Sequence, residues 1–130
     1  GAQNMRPKTL AEVAQLAASG ASFDRSLTNF FDEFYAAPNA RALAEAPLLL
    51  APALGYSRSV QDAYMAATAE ELARTYQFPV PAWTVAEARK LHRPWFASSL
   101  AALRAVLLLE SPVAFRSRNL FISANALSRA

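Results

Sequence analysis

Phe23, Leu27, Phe30, Phe31 and Phe34 fall at i, i+4, i+7, i+8 and i+11, so five large apolar side chains share one stripe of a helix. The stripe predicts an amphipathic helix that stops before Pro38. Upstream, Thr9 and Glu12 make a T-x-x-E capping pattern ahead of Leu10, Val13, Leu16 and Ala17, and Gly20 stands where a left-handed cap would sit. A first helix is expected over residues 9–19 and a short one over residues 39–46. The run PLLLAPALG, residues 47–55, reads as a connection with buried leucines, because its two prolines forbid a regular helix there.

Ser59 with Asp62 opens a longer helix reaching about Tyr76. Its Ala63, Ala66, Ala67, Ala69 and Ala73 leave so little bulk that a neighbouring backbone can approach closely, which predicts a central position. QFPVPAW, residues 77–83, is an extended linker. Thr84 and Glu87 repeat the T-x-x-E signal for a short helix ended by Pro94, and Ser98 or Ser99 begins another running to about Glu110. That helix is apolar around most of its circumference, which requires burial on several sides. Ser111-Pro112 restarts a turn of helix with proline at its first position, and NLFI, residues 119–122, is a β-prone run with no partner strand. The expected fold class is all-α: one compact bundle of about six or seven helices over residues 1–130, no internal repeat and no sheet of consequence. Residues 1–4, ahead of Met5, read as an extraneous leader and are set aside.

Composition agrees with a folded chain: 54% hydrophobic, 18% charged and three glycines are far from the bias of a disordered segment. The absence of cysteine excludes disulfides, thiolate metal sites and a Cys nucleophile. No apolar run approaches the roughly 20 residues of a membrane span, so no membrane association and a cytoplasmic location are expected.

Catalytic constellations are thin. His92 is the sole histidine, so a multi-His metal site cannot be assembled within one chain. No glycine-rich phosphate loop occurs, and GYSRS lacks the second glycine of a nucleophile elbow. Small all-α nucleases of the HEPN type place an Arg four to six residues ahead of a His, whereas Arg89 stands only three before His92. The adjacent carboxylates Asp32-Glu33 and Glu70-Glu71 point about 100° apart on a helix and do not form shared acid/base sites. No catalytic residue, metal or cofactor is assigned. The helix pair around Gly20 invites a helix-turn-helix reading, but its second helix sets Asp24, Asp32 and Glu33 against one Arg25 and suits DNA poorly.

Charge is distributed unevenly. Residues 1–73 hold five Lys/Arg and eight Asp/Glu, while residues 74–130 hold eight and two, a net of −3 against +6. Within the fold, Arg104, Arg116 or Arg118 could pair with Asp62 or Glu70. Outside it, a basic and aromatic surface of Arg89, Lys90, His92, Arg93, Trp95, Arg116 and Arg118 could meet an acidic partner. Arg116 and Arg118 lie in and just beyond a turn, so one is expected to be paired internally and the other exposed.

The segments DAYMAATAEELARTYQFPVPAW and RPWFASSLAALRAVLLLESPVAFRSRNLFISANAL resemble an uncharacterised bacterial all-α domain family. Its pattern is Asp-Ala with an alanine-rich helix, then Pro-x-Pro-x-Trp, Pro-Trp-Phe, Leu-Arg-Ala and Ser-Pro-x-x-Phe-Arg-x-Arg. These fall on Asp62, Pro79, Pro81, Trp83, Pro94, Trp95, Phe96, Arg104, Ser111, Phe115, Arg116 and Arg118, and the likeness covers about residues 60–130. The resemblance implies a domain found alone or behind a helix-turn-helix domain, in regulatory or toxin–antitoxin-like settings, with no activity to carry over. The expectation is therefore a non-enzymatic interaction module that binds another macromolecule, a protein partner or a second copy. The alternatives are a nucleic-acid-binding protein using the basic half, and a small enzyme with a site around His92.

Overall fold

The computed structural model describes residues 6–96 and 111–122. Among these, six α-helical segments run in order: α1 (Leu10–Ala18), α2 (Phe23–Ala36), α3 (Arg41–Ala44), α4 (Leu50–Leu54), α5 (Ser59–Thr75) and α6 (Val113–Arg116). Three 3-10 turns, Tyr56–Arg58, Ala82–Val85 and Glu87–Arg89, and two short strands, β1 (Trp95–Phe96) and β2 (Leu120–Phe121), complete them. The fold is mostly helical, with one minor sheet.

Local chemistry accounts for the first two helices. The Glu12 N–H donates to Thr9 Oγ1 and the Thr9 N–H to Glu12 Oε1, closing a capping box at α1. Ser22 Oγ accepts from the Arg25 N–H and caps α2. The whole apolar stripe of α2 is buried, and Phe34 meets Tyr76 edge-on at 5.3 Å between ring centroids.

α5 is central, and its small residues serve two apolar clusters. Met65, Ala69, Leu72 and Ala73 join α1, α2, Leu43 and Leu50 in the larger one. Ala63 and Ala67 join Ala114, Phe115, Leu120 and Ile122 in the smaller. Alanine at these positions allows the close approach that Phe115, fully buried, requires.

Several expectations are corrected. Residues 50–54, read as a connection, form α4: Pro52 is the third residue of that helix, inside the first turn, where an N–H has no intrahelical acceptor to lose. Ser59 does not cap α5, and Asp62 serves α4 instead, its carboxylate accepting from the Leu50 and Ala51 N–H groups at 2.7 and 3.0 Å. The T-x-x-E pattern at Thr84 gives two 3-10 turns in place of a helix, because the Thr84 hydroxyl donates to the Pro81 carbonyl. NLFI does find a partner: Trp95 stands opposite Leu120 and Phe96 opposite Phe121 in a parallel pair. Pro112 sits one position earlier than expected, at the N-cap of α6. The helix expected up to Glu110, with Arg104, lies outside the described residues. Among the described residues, no helix is long and apolar enough to cross a membrane.

Candidate docking cleft and its ionic supports

Two buried arginines determine where the exposed basic residues stand. Arg89 is 3% exposed. Its Nη1 lies 4.0 Å from Asp62 Oδ1 and donates to the Asp62 carbonyl, and its Nη2 donates to the Pro47 carbonyl. Its guanidinium carbon lies 4.9 Å from the centroid of the Trp83 ring, and Trp83 Nε1 donates to the Leu43 carbonyl. Burial pulls the Arg89 pKa below its ordinary value, with the Asp62 carboxylate opposing the shift.

Arg118, also 3% exposed, reaches Glu70 Oε1 at 2.7 Å and donates to the carbonyls of Ala114 and Thr84. Glu70 also receives Arg74 at 2.9 Å. Burial alone would raise the Glu70 pKa, but the hydrogen bonds and charges of Arg118 and Arg74 outweigh it and hold the carboxyl below its ordinary 4.5. A folded value below the unfolded one means that this contribution to stability is complete above the unfolded pKa and fades as pH falls through the folded value. Melting temperature measured down from neutral pH should therefore decline more steeply in the wild type than in Glu70→Gln, which has no such proton to take up. Parallel profiles would contradict this.

The expectation that Arg89 and Arg118 contribute to an exposed face is thus corrected. A buried guanidinium needs carboxylate and carbonyl partners, and both have them. Asp62 pairs with Arg89, and Glu70 with Arg118. Arg116 is the exposed member of its own pair.

The chain from 89 to 95 is fixed at residues 89, 91 and 95. Arg89 is anchored as above, the Leu91 N–H donates to the Arg118 carbonyl, Asn119 Nδ2 donates to the Leu91 carbonyl, and the Trp95 N–H donates to the Asn119 carbonyl. Asn119 takes φ +64, a left-handed conformation that asparagine tolerates better than most residues. Between these anchors Lys90, His92 and Arg93 project outward and form one rim of a cleft of about 1000 Å³. Leu49, Val60 and Leu91 give it an apolar wall. Tyr56, at the cleft edge, is 92% exposed. Gly55 before it takes φ +119 and ψ 159, a combination reserved for glycine, and so lets the chain turn out of α4.

Ser59, Glu87 and Asp62 also border the cleft. Asp62 already serves Leu50, Ala51 and Arg89, and Glu87 pairs with Lys90 at 3.7 Å. Among the described residues no hydrogen bond links His92 to a carboxylate or to Ser59, and no group of acidic and histidine side chains could hold a metal ion. The candidate residues therefore divide: Lys90, His92 and Arg93 come together, Trp95 lines a separate groove, and Arg116 lines neither that groove nor the cleft. The apolar wall and Tyr56 escape a reading of the charges. The signal that could have found them is Gly55-Tyr56, a glycine-permitted tip directly after an apolar run. No protein-family model, curated protein or solved structure matches this chain.

Proposed function

We propose that the chain is a non-enzymatic helical interaction module, and that it binds a protein through the cleft rimmed by Lys90, His92 and Arg93. The observation that supports the reading most is the combination of that rim with an apolar wall and an almost fully exposed tyrosine. Tyrosine and arginine are among the residue types that dominate binding energy at protein interfaces. A nucleic-acid site would need an extended basic track, and the burial of Arg89 and Arg118 removes two of its expected members. The resemblance of residues 60–130 to a domain of regulatory or toxin–antitoxin-like settings agrees with a role as one member of such a pair.

The test is partner capture with the tagged chain, followed by affinity measurement with the purified partner. Tyr56→Ala and Arg93→Glu should each weaken binding about ten-fold or more with melting temperature unchanged. A partner whose affinity ignores both changes would remove the cleft from the proposal. Binding that vanishes with nuclease and falls steeply with salt would establish the nucleic-acid alternative in its place.

A further inference from the structure

On the other side of Val60, which lines both, lies a second groove of about 480 Å³. It runs between Phe23 and Phe31 of α2, Gln61 and Tyr64 of α5, and Trp95 of β1, with Asp24 among its lining residues. Phe31 packs on Phe30 and Tyr35, and Tyr64 on Phe115, yet none of those three partners lines the groove. The internal ring contacts therefore do not fill the space. Trp95 is 37% exposed although it is bulky and apolar.

Among the described residues, Asp24, exposed in the first turn of α2, is the one charged side chain on this lining, and no ion pair to it is found. Arg58, just ahead of α5, donates to Gln61 Oε1 at 3.0 Å. Burial, then the Asp24 charge and Tyr35, push the Tyr64 phenol up to about 12, so it stays neutral at ordinary pH. Aromatic faces carry negative quadrupole potential, and together with one carboxylate they attract a weakly hydrated cation more than an uncharged group of the same shape. The volume lies within the range of small-ligand sites.

We propose that the groove between α2, α5 and Trp95 binds a small organic cation of the substituted-ammonium class, with Asp24 as its counter-charge. This assignment is independent of the cleft on the other side of Val60. The experiment titrates the whole protein with choline and, separately, with its neutral carbon isostere, in which a tert-butyl group replaces trimethylammonium. Tryptophan fluorescence and backbone amide shifts report binding. Of the two tryptophans, Trp83 lies outside the groove on Arg89, so Trp95→Phe identifies the reporter.

Choline is expected to bind about five-fold or more tightly than the isostere, with shifts confined to α2, α5 and Trp95. Asp24→Asn should bring that ratio close to one. The variant keeps the Ser22 cap of α2, and a melting curve checks that it folds. Equal affinities for the two ligands, no choline binding at millimolar concentration, or a response unchanged by Asp24→Asn and Trp95→Phe would each overturn the proposal. The wild-type ratio decides without any variant.

Discussion

Asp62→Ala is expected to lower stability by about 3–5 kcal/mol, the cost typical of leaving one member of a buried ion pair without its partner. The side chain is 1% exposed and performs two tasks. It accepts the first N–H groups of α4, which have no intrahelical acceptors, and it faces Arg89, whose guanidinium would otherwise have only carbonyls and the Trp83 ring. A domain of this size holds about 5–15 kcal/mol in total, so thermal melting should shift by on the order of 10–20 °C. The double variant Asp62→Ala/Arg89→Met separates the tasks, since it removes the stranded charge and leaves the uncapped helix together with the carbonyls of Pro47 and Asp62 that Arg89 served. It should therefore be more stable than the sum of the single effects predicts. Strict additivity would show that the pairing contributes nothing.

The second large effect distinguishes two arginines two residues apart. Arg118→Met should cost about 3 kcal/mol, because it removes the counter-charge of Glu70 and leaves the Thr84 carbonyl without that donor. Glu70 keeps Arg74, which places the loss toward the lower end of the range for buried pairs. Arg116→Met, at an exposed position, should stay within about 0.5 kcal/mol of wild type. Methionine preserves much of the apolar stem in both cases, so the contrast isolates the guanidinium. Equal losses in thermal melts of the two variants would refute the division.

These residues show how far the chain could be read without coordinates. The stripe of α2 and the capping box of α1 were legible because each is a contact within a few residues, fixed by helical spacing. That one of Arg116 and Arg118 would turn inward was also legible, since they sit in and just past a turn; which one was not. The choice depends on Glu70, forty-eight residues earlier in the case of Arg118, and on how α6 lies across α5. Asp62 misled for the same reason. Three residues after a serine it resembles part of a helix start, yet its partners are twelve residues back and twenty-seven ahead. Several members of the family-like pattern, Asp62, Trp83, Ser111, Phe115 and Arg118, prove to be buried or hydrogen-bonded supports of the fold. The exposed face was overestimated because charge along a sequence carries no sign of direction. What remains of it, residues 90, 92 and 93, faces outward because its neighbours are tied down.

The alanines of α5 carry a consequence for how this protein tolerates change. Two apolar clusters rest on a helix with almost no side-chain bulk between them, so it behaves as a party wall. An added methyl or two at Ala63 or Ala67 has no slack to enter, and the displacement is passed through the backbone to the aromatic side. The halves of the molecule are thereby bound to vary in concert, and a substitution that suits one will be accepted only when the opposite face gives way with it.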